Sequence, residues 1–190
     1  MARIIFADGR QETDMAVIEP ILANIGVALK QWPTPEADDI QDLLESKALD
    51  DGQKEAVLKS VDNRFETLKQ EYGYTTRDMI VLHEDIPGLG EILAKFESIH
   101  YHTDDEVRYI VGGKGYFGFV DGEGTQMLVE VVAGDYINVP ANAEHWFTLG
   151  DSRRIKAVRY FIDTSGWTPV YTERPLQFDE SNLPWSVTTA

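Results

Sequence analysis

From about residue 98 onward the apolar residues recur with a period of two, and no stretch shows the period of a helix. "EVRYIV", "YFGFV", "QMLVEVV", "DYINVP", "EHWFTL" and "IKAVRYFID" follow one another at close spacing, with "GGKG" and "DGEG" expected as turns between them. Parallel pairing needs a crossover of about a dozen residues or more, usually a helix, so connections this short allow only antiparallel neighbours. Each alternating strand has one face to bury, and several such strands in succession bury it by folding into a sandwich or barrel. The expected fold is therefore mainly β, an antiparallel sandwich or barrel preceded by N-terminal helices.

Residues 1–97 read differently. "ARIIFA" is expected as a short strand, and the segment from about Asp14 to Leu29 as a helix despite Pro20. The two prolines of "WPTPEAD" interrupt the chain. Ile40, Leu43, Leu44, Val57, Leu58, Val61, Phe65 and Leu68 then recur at three and four, which predicts two amphipathic helices hinged near "DDG". "MIVLHE" reads as a strand and "LGEILAKF" as a short helix. The expected organisation is one structural domain: a mixed N-terminal part (1–97) packed on a barrel core (98–174), with a C-terminal tail (175–190).

Charge and cysteine usage narrow the chemistry. With 33 acidic against 17 basic residues the formal net charge is −16. Such a surface points away from nucleic acid and anionic membranes as partners. The chain has no cysteine, so disulfides and thiolate ligands are excluded and any metal must be held by nitrogen and oxygen. "MARIIFADGRQETD" lacks the apolar block of a secretory leader, and no run is long enough for a membrane helix; a cytoplasmic location is expected.

The stretch "HYHTDDEVRYIVGGKG", His100 to Gly115, holds two of the four histidines. Residues two apart on a strand share a face, so His100 and His102 point the same way; Glu106 shares their parity if the strand continues, or reaches in from a short turn at "TDD". His145, in "PANAEHWF", begins a later strand that a closed sheet can bring alongside. Three imidazoles and a carboxylate suit iron, nickel, manganese or zinc. The plainer reading is a pair of surface histidines beside an acidic turn. His83 has no partner in the pattern and is expected to be structural.

The wider pattern resembles the two motifs of the cupin superfamily: His100, His102, Glu106 and Gly113, then Gly134, Pro140, Asn142 and His145. Asn142 stands where that family has glycine, a change that a left-handed turn tolerates. Ala94 and Leu149 depart from the motifs at positions that hold no metal. Within the cupins, "HYHTDDEVRYIVGGKGYF", "VPANAEHWFTLG", "AVRYF" and "GWTPVY" look like an acireductone dioxygenase. That resemblance implies a jelly-roll barrel and one Fe2+ or Ni2+ per chain on His100, His102, Glu106 and His145. It implies a monomer that uses O2 to cleave 1,2-dihydroxy-3-keto-5-methylthiopentene in methionine salvage. The iron form would give 2-keto-4-methylthiobutyrate and formate, and the nickel form 3-methylthiopropionate, formate and carbon monoxide. It further implies Asp105 as general base, Arg108 as a catalytic and substrate-binding cation, and Arg159, Phe96, Phe147 and Trp167 as substrate contacts. Two other readings stay open on the motifs alone: a different cupin enzyme, such as a sugar isomerase or another dioxygenase, and a non-catalytic cupin that binds a small molecule.

Overall fold

The computed structural model describes residues 2–163, 168–178 and 183. The long strand β6, Glu106–Val120, organises it. Its first half pairs with β8 (Asp135–Val139) and β10 (Ile155–Phe161), and its second half with β7 (Gln126–Val132) and β9 (His145–Thr148). One strand thus belongs to two sheets, and every strand pair among the described residues is antiparallel.

This corrects the expected turn at "GGKG", which is a bend within β6. The register against β10 slips by one residue between Lys156 and Ala157, opposite Ile110 and Gly112. Gly113 sits at φ 72°, and a Cβ there would lie 2.3 Å from the Arg154 carbonyl oxygen. Glycine is required because the strand must bend against its neighbour's backbone.

The N-terminal half contributes strands as well as helices. β1 (Arg3–Phe6) pairs with β7 and with β2 (Gln11–Glu12); β3 (Ala28–Gln31) pairs with β8; β4 (Thr76–Leu82) pairs with β10. The first helix is shorter than its pattern suggested. α1 (Met15–Ala23) starts at Asp14, whose side chain accepts from the Ala16 N–H, and ends well before Leu29. Residues 28–31 are strand because β8 offers them a ladder. The segment from Asp38 to Tyr72 forms three helices, not two: α2 (Asp38–Glu45), α3 (Asp51–Ser60) and α4 (Asp62–Tyr72). The expected hinge is the capping box of Asp50 and Gln53; the second break falls at Val61. α5 (Leu89–Glu97) precedes β5 (His100–Tyr101), which lies between β9 and β11 (Val170–Tyr171).

Three apolar layers hold these elements. Ile110, Phe117, Val129, Ile137, Ile155 and Leu149 fill the space between the two sheets. Val107, Tyr109, Val158 and Tyr160, on the outer face of one sheet, pack against Leu44, Val57, Leu58 and Leu68 of the helices. On the outer face of the other, Trp146, Tyr116 and Leu128 meet Phe178 of the tail. Among the described residues no helix is long and apolar enough to cross a membrane.

Candidate metal centre and substrate cavity

The four residues singled out by spacing converge. His100 on β5 is the cross-strand partner of His145 on β9, and Glu106 opens β6. The chain between β8 and β9 turns through Asn142, at φ 66°, whose N–H donates to the His102 carbonyl at 2.8 Å. All four side chains are buried, and one donor atom from each lies within 4.8 Å of the others. Glu106 Oε2 stands 3.1 Å from His102 Nε2 and 3.4 Å from His145 Nε2. Neighbouring ligands on an ion with bonds of about 2.1 Å are about 3 Å apart, so these edges fit a bound metal.

Hydrogen bonds aim the imidazoles. A carbonyl only accepts, so His100 Nδ1–H donates to Ser98 O at 2.7 Å and His145 Nδ1–H to Ala143 O at 2.8 Å. Each bond leaves the Nε2 lone pair facing the cluster, the arrangement that orients metal-bound histidines. His145 Nε2 is buried without a hydrogen-bond partner, an arrangement that an ion would relieve. Burial, and then the nearby His145, push His100 down to about 4, so it is neutral at pH 7. Burial works to raise Glu106, but the Arg108 guanidinium holds its carboxyl well below the usual range.

The cluster forms the polar end of a cavity of about 100 Å³. Arg108 lines that end; its Nη2 is 3.1 Å from Glu106 Oε1, and its Nη1–H donates to the Val107 carbonyl at 3.0 Å. The two Glu106 oxygens are thereby divided, one towards the guanidinium and one towards the imidazoles. Burial lowers Arg108 to about 10, which leaves it charged at neutral pH. The other end is apolar, with Leu82, Phe96, Ile110, Phe147, Ile155 and Ala157 among its walls.

Not every expected residue arrives there. Phe96 and Phe147 do; Trp167 lies outside the described residues. Asp105, the residue just before β6, is not among the described residues lining the cavity. Its Oδ1 accepts from the Ala141 N–H at 3.0 Å, beside a separate hollow shared with Asp104 and Asp163. Arg159 is the cross-strand neighbour of Arg108 but is not among the described residues lining the cavity. It pairs at two points with Asp78, with Nε to Oδ1 at 2.6 Å. The carbonyls of Ser98 and Ala143 went unread in the sequence, although each lies two residues before its histidine. The apolar walls on β4 and β10 were legible only as strand alternation.

Fold and site together define a cupin with a three-histidine, one-carboxylate centre suited to one divalent metal. Comparison with known proteins makes this specific. Residues 29–169 match the ARD/ARD' family. An acireductone dioxygenase of Microcystis aeruginosa is 50% identical over 178 residues, covering 94% of this chain and 97% of its own. One from Leptospira biflexa is 48% identical over 167 residues, covering 86% and 92%. The solved acireductone dioxygenase from Bacillus anthracis, with a cadmium ion in its active centre, matches with a TM-score of 0.82 at 35% identity, covering 90% of this chain and 98% of that one. The chain belongs to the ARD/ARD' family.

Proposed function

We propose that the protein is an acireductone dioxygenase that holds one Fe2+ or Ni2+ through His100, His102, Glu106 and His145 and acts on 1,2-dihydroxy-3-keto-5-methylthiopentene with O2 in methionine salvage. The observation that carries this reading is one cavity with four converging ligand groups and a buried arginine at one end and apolar walls at the other. A bound ion would supply positive charge for the ionised enediol and coordination sites for its adjacent oxygens. The chain's own residues do the rest. Arg108, buried and charged, attracts the anionic head of the substrate and steadies Glu106. The Ser98 and Ala143 carbonyls keep His100 and His145 in the tautomer whose Nε2 is a donor to metal. Phe96, Phe147 and their apolar neighbours take the methylthio tail and exclude water.

Asp105 enters as a positioning residue. By accepting from Ala141 it ties the start of β6 to the turn that delivers His145. Arg159, committed to Asp78, keeps a second charged pair beside Arg108 without contacting substrate. We further take the protein to act as a cytoplasmic monomer, with its three sequence segments (1–97, 98–174, 175–190) working as one domain.

The test is to strip the metal, reload iron or nickel separately, add acireductone anaerobically and admit oxygen. The iron form should give keto acid and formate, and only the nickel form carbon monoxide. Oxygen uptake no faster than the uncatalysed reaction in both forms would refute the assignment.

A further inference from the structure

We infer that Gly115 sets the length of the apolar tail that the cavity accepts. The inference rests on the proposed function for the identity of the substrate but not for its geometry. Gly115 lies on β6 opposite Val131 and does not adopt a left-handed φ, so its backbone would accept any residue. Glycine is needed there for space. A Cβ at this position would stand 2.6 Å from Phe147 Cζ, 2.7 Å from Phe147 Cε2 and 3.1 Å from Ile155 Cδ1. Both side chains are walls of the cavity. The ring of Phe147 therefore occupies the volume that a side chain at 115 would take, and the cavity is longer by that amount.

The phenylalanine cannot retreat as a whole. Its backbone is held in register opposite Phe117, and the two rings pack 5.0 Å apart. The next residue, Thr148, donates its hydroxyl to Glu97 Oε1 at 2.7 Å, beside Phe96 at the end of α5. Strand and helix fix both ends of the aromatic pair, so a methyl group at 115 displaces the ring itself. Ordinary carbon contacts begin at about 3.5 Å, so the ring must move by about 1 Å, into the cavity. That is close to the length one methylene adds to an extended chain. Gly118 makes room for Trp146 in a similar way, but Trp146 packs against the tail at Phe178 and lines no part of the cavity.

The test uses nickel-loaded protein and a series of n-alkyl hydroxamates, unreactive chelators that stand in for the enediol. Wild-type affinity should rise about fourfold with each methylene until the tail fills the cavity. In Gly115→Ala the shortest probe should bind as in wild type, with unchanged nickel content, and the gain should stop one or two methylenes earlier. Adding Phe147→Leu to that variant should restore the lost gain. Should Gly115→Ala fail to fold, Phe147→Leu alone decides: it must extend the series by at least one methylene. A wild-type length series in Gly115→Ala, an equal loss at every length, or no extension in Phe147→Leu would overturn the inference. If wild type shows the length series but oxidises no acireductone, the functional assignment falls and the role of Gly115 stands.

Discussion

Replacing Asp135 with asparagine should make the protein more stable at neutral pH by an amount that disappears in acid. Asp135 opens β8 and is wholly buried, with Oδ2 accepting from the Val132 N–H at 2.7 Å and Oδ1 from the Gln31 side chain. Burial is the main cause that pushes its carboxyl from 3.8 up to about 6; the Val132 N–H works against the rise and Glu130 adds to it. The folded chain therefore keeps this proton at pH values where the unfolded chain has released it. Stability falls as pH rises from 3.8 to 6 and levels off above. At about 1.4 kcal/mol per pH unit, the full interval is worth about 3 kcal/mol. About 1 kcal/mol of that is already lost at pH 4.5, which leaves about 2 kcal/mol between pH 4.5 and 7.5. Asparagine keeps the shape without the titration. Its oxygen accepts from Val132, and its amide can donate to Gln31 once that amide flips. Urea unfolding of both proteins, with the same metal loaded, should show the difference in stability shifting by about 2 kcal/mol towards the variant from pH 4.5 to 7.5. Ligand protonation affects both proteins alike and cancels. A difference that is flat with pH, or that moves towards wild type at pH 7.5, would show that burial of Asp135 does not govern its ionisation.

Glu106→Gln or His145→Ala should lower metal affinity by more than the roughly 10- to 100-fold typical of changes outside the ligand shell, checked by elemental analysis after dialysis; full occupancy would count against the cluster. Chelation should reduce the melting temperature, since an ion at about 100 times its Kd adds about 2.7 kcal/mol to the folded state; equal melting points at saturating metal would contradict this. Arg108→Ala should retain metal but lose about ten- to hundredfold in kcat/KM, the value of a charge-assisted bond, and unchanged kinetics would remove Arg108 from the substrate site. Lys156 donates from β10 to the Leu44 and Ser46 carbonyls at the end of α2, so Lys156→Met should cost about 1–3 kcal/mol in urea unfolding and leave metal content untouched; a neutral result would mean that the loss of a buried charge offsets the stranded carbonyls.

The metal centre was legible because its ligands obey rules of short range. His100 lies on β5, Glu106 reaches in after the bend at residues 103–104, and the tolerance of asparagine for a left-handed turn placed Asn142 correctly, at φ 66°. Asp105 adjoins Glu106 in the motif, but its carboxylate accepts from the Ala141 N–H outside the cavity. What failed depended on partners distant in sequence. "GGKG" has the composition of a turn, and only the ladder to β10 makes it a bend. Ala28–Gln31 has a helical neighbourhood, and only β8 makes it a strand. Arg159 has the same parity as the cavity residues Ile155 and Ala157, but Asp78 on β4 claims its guanidinium. No local pattern encodes that choice.

The bend in β6 has a consequence for how this chain can change length. Glu106, Arg108 and Ile110 face the cavity before it, and Phe117 after it, at odd rather than even separation. The extra residue at the bend reconciles the two halves. Loops absorb insertions and deletions because nothing beyond them depends on their count. Here, deleting one residue between Ile110 and Gly115 would rotate one half of the strand against the other, turning either the metal end or the tail end outward. Descent with variation can therefore lengthen or shorten this chain at its turns, but β6 must be inherited at fixed length.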